Sequence, residues 1–200
     1  MGQRMETNPE LWYSFVVEIG QCVVSAKVPT GPGFISREPP KRFTPFEKAL
    51  DSSKFESFAM FGYGKEGHGS MIAFEIARYR DADKPFANFA DFVSHLANNY
   101  AWRSQNGQRS LFEANRYKWL NSYGPPSQRS RDFVIAAAER YYYPLTSEYA
   151  LTVRGNYSGK FASNTTRHAS IRAITQEVVS NVSITGCGYY ESEAGIKGSE

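Results

Sequence analysis

The sequence has little of what marks the specialised classes of protein. Only two cysteines and three histidines occur among its 200 residues, so it is neither a disulfide-dense scaffold nor a protein with a recognisable metal-ligand motif. With 10 prolines, 16 glycines and 41% hydrophobic residues, it has no disordered or collagen-like composition. No apolar run approaches the roughly 18 residues that cross a membrane, and no secretory signal is recognisable. These absences predict a soluble globular protein with no membrane partner.

The two cysteines, Cys22 and Cys187, lie near opposite ends of the chain, and neither belongs to a Cys-x-x-Cys pair. An isolated cysteine behaves as a small hydrophobic residue that is usually buried. We therefore expect two free, buried thiols in a protein of the reducing cytoplasm.

The net charge of +3 is distributed unevenly along the chain. Residues 1–100 carry 11 Lys and Arg against 12 Asp and Glu, whereas residues 101–175 carry 11 against 4, a balance of +7. Nine of those eleven cations are arginines, whose planar guanidinium groups suit bidentate recognition of phosphate. The basic middle of the chain therefore favours an anionic partner.

The length of the chain predicts one domain, since a typical domain has roughly 150 residues. The apolar patterns predict an α+β fold over residues 1–200. In it, antiparallel strands from the N- and C-terminal regions pack on a central block of about three to four helices, at about 86–143.

Alternating or β-branched segments predict the strands. Leu11 to Val28 favours a hairpin or one long bent strand, and Phe58 to Ile76 favours a second hairpin whose glycine-rich tip, Gly62 to Gly69, is mobile. Residues 149–154 and 178–184 alternate as two further strands. Residues 165–177 are ambiguous between helix and strand.

Apolar spacings of three and four predict the helices. These are a short helix at about 45–55, a long helix at about 86–103, a helix that opens with Ser110 to Glu113 as a capping box, and one at about 130–142. On the long helix we expect a core stripe of Phe89, Val93, Leu96 and Tyr100, with a structural histidine, His95, at its edge.

The glycine-rich stretch Gly62-Tyr-Gly64-Lys-Glu-Gly67 formally matches a dinucleotide-binding fingerprint. No second strand ends in the acidic residue that such a site needs, so we predict no cofactor. The stretch is interpreted instead as a hairpin tip or as a loop that contacts a protein partner, formed by Gly64, Lys65, Gly67 and His68.

Near the C-terminus, Glu191-Ser-Glu193 resembles the E-x-E turn of mono-ADP-ribosyltransferases, a family whose fold also needs an upstream arginine and a Ser-Thr-Ser-like strand. Arg154 and Ser163 to Thr165 are the candidates for those elements. The resemblance implies an ADP-ribosyltransferase-like enzyme and is kept as an alternative.

Arginines and aromatic residues interleave through the basic middle of the chain. Guanidinium groups contact phosphates and aromatic rings stack on unpaired bases, so this composition suits RNA or single-stranded DNA. The candidate nucleic-acid contacts are Arg103, Arg109, Arg116, Lys118, Trp119, Arg129, Arg131 and Arg140. The same string would also arise from amphipathic helices whose arginines point to solvent and whose aromatics point inward.

We therefore expect a non-enzymatic binding protein, a nucleic-acid-associated subunit of a nucleoprotein assembly, with no catalytic residue and no metal site. The alternative is a protein-binding inhibitor or immunity-type factor that acts on another macromolecule through the glycine-rich loop.

Overall fold

The computed structural model describes residues 12–30, 34–37, 39–43, 56–65, 68–79, 84, 86–99, 108–124, 127–130, 133–159 and 165–187. This part of the chain contains twelve strands and two helices. The strands are β1 (Trp12–Ile19), β2 (Cys22–Pro29), β3 (Ile35–Arg37), β4 (Arg42–Phe43), β5 (Glu56–Lys65), β6 (His68–Arg78), β7 (Gln108–Ala114), β8 (Tyr117–Gly124), β9 (Ser127–Ser130), β10 (Phe133–Pro144), β11 (Tyr149–Gly159) and β12 (Ser183–Thr185). The helices are α1 (Phe89–Asn99) and α2 (Thr165–Ser180).

The strands form two sheets. The small sheet has the order β12-β2-β1-β4, and the large sheet has the order β3-β5-β6-β11-β10-β8-β7, with β9 paired to β10. Every described strand pair is antiparallel except β1 with β4. The fold is therefore mostly β, and the expected α+β architecture with a central helical block is wrong.

Within the region expected to be helical, about 86–143, α1 is the only helix among the described residues. The helix expected from Ser110 is the hairpin β7–β8, whose two-residue turn Asn115-Arg116 has positive φ at both positions. Such a turn matches the twist of a β-hairpin, and it overrides the local capping-box pattern. The helix expected at 130–142 is β10, a strand inside the large sheet.

Both N-terminal hairpin predictions are confirmed. β1 and β2 meet at a turn of Gly20 and Gln21, and Gly20 has a φ of +61° that suits glycine. The tip expected over Gly62 to Gly69 is shorter than predicted, because β5 and β6 pair as far as Lys65 opposite His68 and Gly64 faces Gly69 inside the strands. Residues 66–67 at the tip lie outside the described residues, as does the helix expected at about 45–55.

The main core lies between the two sheets. We call the side of the large sheet that meets the small sheet the inner face, and its opposite side the outer face. Aromatic rings fill much of this core, with Phe15 of β1 stacked on Phe61 of β5 and in edge contact with Phe74 of β6. Other fully buried core residues are Val17, Val24, Ile72, Trp119, Tyr141, Leu145, Leu151 and Val153.

Helix α2 also packs on the inner face, and it settles the ambiguous stretch 165–177 as helix. The strand expected from residue 178 starts only at Ser183. The docking is close because Gly155 of β11 has no side chain: a Cβ there would overlap the hydroxyl of Thr175. The buried stripe of α2 consists of Ile171, Ile174, Thr175, Val178 and Val179, at helical spacing.

Helix α1 packs on the outer face and forms a second apolar cluster with residues of β6, β8, β10 and β11. Asn88 caps it, because its side chain accepts a hydrogen bond of 2.9 Å from the backbone N–H of Asp91. Leu96 is fully buried as expected, and His95 is half-buried with its ring 5.4 Å from that of Phe86. Tyr100, the last residue of the expected stripe, lies outside the described residues.

The two cysteines are bonded to each other as a Cys22–Cys187 disulfide, so the expectation of two free thiols is wrong. The bond joins the start of β2 to the residue that follows Gly186, just after β12. Both cysteines are buried, as expected. Because the predicted cytoplasmic location was argued from free thiols, the disulfide removes that argument.

No helix in the described part of the chain is both long and apolar enough to span a membrane.

Candidate functional site

Three arginines lie in one row across the outer face of the large sheet. Arg109 of β7 is opposite Ser122 of β8, Ser122 is opposite Arg140 of β10, and Arg140 is opposite Arg154 of β11. Directly opposed residues of antiparallel strands point to the same side. The row, which we call the arginine row, therefore crosses three strand spacings, or about 14 Å.

A buried carboxylate, that of Glu75, contacts one end of this row. Glu75 of β6 is 5% exposed and forms an ion pair of 2.6 Å with Arg154, and it accepts a hydrogen bond of 3.2 Å from the hydroxyl of Ser57. Burial raises the pKa of Glu75, whereas Arg154, Ser57 and Arg140 act in the opposite direction. Desolvation thus dominates, so the pKa of Glu75 lies above that of an exposed carboxyl group.

Arg140 stands beside Arg154 without a carboxylate of its own. Among the described residues it forms no ion pair, although its charge acts on Glu75. Glu75 forms its ion pair with Arg154, and Arg140 places a second guanidinium next to that pair. Like charges on directly opposed strand positions are destabilising, so an anion placed between these two side chains would relieve their repulsion.

The row is accessible from solvent to different degrees. Arg109 is exposed, and Arg140 and Arg154 are half-buried. None of the described outer-face residues of the large sheet is an exposed aromatic, since Tyr142 is buried beneath α1. The face can therefore contact phosphates, and its described part contains no ring for stacking on a base.

The structure separates the other predicted nucleic-acid contacts from this row. Trp119 is fully buried on the inner face, with its ring 5.3 Å from that of Tyr143, so it cannot stack on a base. Arg116 lies in the β7–β8 turn with its guanidinium 5.5 Å from the ring centre of Tyr117. Lys118 is on the outer face, and its ammonium group is 3.3 Å from Glu113.

For the remaining predicted residues, the structure describes at most their position in a strand. Arg129 lies in β9, and Arg103 and Arg131 are outside the described residues. Of the predicted partner loop, Gly64 and Lys65 end β5 and His68 begins β6, while Gly67 is outside the described residues.

Arg154 and Glu75 were not among the predicted nucleic-acid contacts. For Arg154 a signal was present, because it alternates with buried Val153 on a strand that the sequence predicts correctly. Nothing in the sequence marks Glu75 as the partner of an arginine 79 positions later, because only the pairing of β6 with β11 brings the two together.

A second buried carboxylate lies on the inner face. Glu139 of β10 is 2% exposed, and one of its oxygens accepts hydrogen bonds from the hydroxyl of Tyr141 (2.8 Å), the amide of Asn121 (3.2 Å) and Nε of Arg172 on α2 (3.2 Å). Burial raises the pKa of Glu139, with these donors acting against it. The guanidinium of Arg172 also lies 5.8 Å from the ring centre of Tyr123. The network ties α2 to the sheet.

The described residues include no group of three or more His, Cys, Asp and Glu side chains that could hold a metal ion. A cleft of about 280 Å³ opens beside the disulfide, between the β1–β2 turn and the β10–β11 turn. Its walls are mainly apolar, with Ile19, Ile76 and Leu145 among them. The residues that resemble the E-x-E turn, Glu191 and Glu193, lie outside the described part.

The sequence matches no protein-family model, and a search of curated proteins finds no match. Among solved structures, the chain is similar to LpqN, a protein involved in cell envelope biogenesis of Mycobacterium tuberculosis. The two share 12% sequence identity over 87% of this chain and 91% of LpqN, with a TM-score of 0.43. At this level of similarity we draw no conclusion from it.

Proposed function

We propose that the outer face of the large sheet binds single-stranded nucleic acid, RNA or DNA, through its phosphate groups. Arg140 and Arg154 form the centre of this site, and Arg109 extends it toward the edge of the sheet. The observation that carries the proposal is the direct opposition of Arg140 and Arg154 on neighbouring strands, with the buried carboxylate of Glu75 paired to Arg154.

The electrostatics of the pair support an anionic ligand. Glu75 is already engaged by Arg154 and by the hydroxyl of Ser57, so it offsets one guanidinium. Arg140 lies on a half-buried surface, where water screens the charge of its guanidinium less than at a fully exposed position. A phosphate placed between the two arginines would remove their mutual repulsion and accept charge-assisted hydrogen bonds from both.

The described face offers cations without exposed aromatic rings, so the proposed binding is ionic and tolerant of base sequence. Three phosphate contacts predict that the logarithm of the binding constant falls with the logarithm of salt concentration at a slope of roughly −2 for a single strand.

The test compares two substitutions that remove the same charge. Arg140→Ala removes the arginine that forms no ion pair among the described residues, and Arg42→Ala removes an arginine that is 78% exposed on the small sheet. Binding of labelled single-stranded RNA and DNA is measured by fluorescence anisotropy over a range of salt concentrations. We expect Arg140→Ala to weaken binding and make the salt slope less negative by about 0.7, and Arg42→Ala to leave both unchanged.

Two results would overturn the proposal. One is the absence of binding at low salt by the native protein. The other is equal loss of affinity in Arg140→Ala and Arg42→Ala, which would mean that net charge alone attracts the ligand. Far-UV circular dichroism of both variants confirms that they are folded.

The rival function, binding of a protein through Gly64, Lys65, Gly67 and His68, stays a prediction because the side chains of that loop are not described. The same holds for the ADP-ribosyltransferase-like alternative.

A further inference from the structure

Strand β7 forms one end of the large sheet. Gln108–Ala114 pairs with β8 along one edge, and in the described part of the chain no strand pairs with its other edge. An open edge presents backbone N–H and C=O groups that can pair with another strand. Natural edges are usually protected by a proline, a bulge, or a lysine or other charged side chain. β7 has no proline or lysine and its register to β8 is regular, and its two charged residues, Arg109 and Glu113, have opposite signs.

The turn fixes which backbone groups of β7 are directed to the open edge. Ala114 is opposite Tyr117 across the two-residue turn, and in such a hairpin this closing pair is hydrogen-bonded. Because hydrogen-bonded and non-hydrogen-bonded pairs alternate, the backbone groups of Arg109, Leu111 and Glu113 point away from β8. These three residues are therefore the ones that a further strand would pair with.

The side chains of the same three residues share the outer face and are accessible. Leu111 is 56% exposed, and it and Val16 are the two large apolar residues that are exposed among the described residues. Arg109 is exposed, and the side chain of Glu113 is 71% exposed. The edge thus carries a cation, an apolar residue and an anion at successive outer-face positions, and the anion, Glu113, also pairs with Lys118 of β8 at 3.3 Å.

We propose that β7 pairs with β7 of a second copy of this chain, antiparallel, with Leu111 opposite Leu111 of the partner subunit. In this register Arg109 is opposite Glu113 of the partner subunit, and the reciprocal pair forms by symmetry. A shift of two residues in either direction loses both charge pairs and the contact between the leucines. The order of cation, leucine and anion is thus self-complementary in the antiparallel orientation, as an interface with two-fold symmetry requires.

This pairing makes one continuous sheet from the two large sheets. The two-fold axis is perpendicular to the sheet, so the outer faces of both subunits lie on the same side. The two Arg140–Arg154 pairs would then be separated by five strand spacings, roughly 24 Å measured across the strands. The dimer rests on the edge of β7. It shares Arg109 with the proposed nucleic-acid site, whose centre, Arg140 and Arg154, lies outside the interface.

The first experiment places a charge at the symmetry axis. Leu111→Glu puts two carboxylates opposite each other in the dimer, and Val16→Glu makes the same change at the other exposed apolar residue, on the small sheet. Sedimentation velocity over a range of protein concentrations gives the oligomeric state. We expect a dimer for the native chain and for Val16→Glu. For Leu111→Glu we expect the dissociation constant of the dimer to rise at least tenfold.

The second experiment uses charge reversal and remains decisive if Leu111→Glu fails to fold. Arg109→Glu and Glu113→Arg each place like charges opposite one another, and the double variant restores two opposite-charge pairs. All of these variants also carry Lys118→Ala and are compared with Lys118→Ala alone, because Lys118 is 3.3 Å from Glu113 and would repel an arginine there. We expect each single variant to weaken the dimer and the double variant to regain it. A native chain that is monomeric at all concentrations, a dimer that withstands Leu111→Glu, or a double variant no better than the singles would overturn the proposal.

Discussion

The hydroxyl of Tyr117 binds both backbone groups of Ile184, donating to its carbonyl oxygen and accepting from its N–H, each at 2.8 Å. Tyr117 begins β8 of the large sheet, and Ile184 is the middle residue of β12 in the small sheet. One side chain therefore joins the two sheets of the core through hydrogen bonds to the backbone. Its ring is also in edge contact with Tyr143, 5.2 Å away.

Tyr117→Phe should destabilise the protein by about 1 to 3 kcal/mol, because the buried N–H and C=O of Ile184 lose their partner. Chemical denaturation measures the effect. Tyr13→Phe is the matched control, since no hydrogen bond of its hydroxyl occurs among the described residues, and it should cost much less. Equal losses in the two variants would mean that the hydrogen bonds to Ile184 contribute nothing to stability.

Removal of the Cys22–Cys187 bond should cost about 2 to 5 kcal/mol, because the cross-link spans 165 residues and restricts the unfolded chain. The double variant Cys22→Ala/Cys187→Ala is compared with the oxidised native chain by chemical denaturation. Reductant should lower the stability of the native chain and leave that of the double variant unchanged. Two reactive thiols in the oxidised protein after unfolding would contradict the bond.

Glu139 should make stability fall as the pH rises. Its pKa in the folded protein is raised above the ordinary value of 4.5, so the folded state holds the proton more tightly than the unfolded state. This contribution is complete below pH 4.5 and is lost as the pH rises through the folded pKa. Relative to Glu139→Gln, the native chain should therefore lose stability over that range.

The measurement for Glu139 is the free energy of unfolding of both proteins at a series of pH values. Glu18→Gln serves as the control because that side chain is 49% exposed on the small sheet, and its removal relieves no buried charge. A constant difference between the native chain and Glu139→Gln from pH 4 to pH 8 would rule out burial as the dominant influence on Glu139.

Leu96→Ala should cost about 2 to 5 kcal/mol, because Leu96 is fully buried where α1 packs on the outer face and its truncation leaves a cavity. Ser94→Ala, on the exposed side of the same helix, should cost under about 0.5 kcal/mol. Thermal or chemical denaturation distinguishes the two. A stable Leu96→Ala variant would mean that α1 does not pack on the sheet through this side chain.

The sequence predicts the β1–β2 hairpin, the β5–β6 hairpin and β11 for one physical reason. Each shows a local signal, either period-two alternation or a β-branched run interrupted by glycine, and that signal does not depend on distant residues. Helix α1 is predicted in the same way, from its apolar spacing of three and four.

Strand β10 shows where the local signal fails. Its neighbouring residues Tyr141 and Tyr142 are both buried, one against the small sheet and α2, the other beneath α1. A strand covered on both faces has no alternation of apolar and polar residues, and its alanines suggest a helix instead. In β7–β8, the turn at Asn115-Arg116 decided between hairpin and helix, although a capping-box pattern precedes it.

The residues of the candidate site were also predicted only in part from the sequence. The sequence by itself determined that the middle of the chain is rich in arginine, and it included Arg109 and Arg140 among the candidate contacts. Only the register of four strands places those two beside Arg154 and removes Trp119 to the core. The Cys22–Cys187 bond and the Glu75–Arg154 ion pair likewise join residues 165 and 79 positions apart. Such contacts depend on which strands become neighbours, and that choice is made by the burial of the whole core rather than by any local segment.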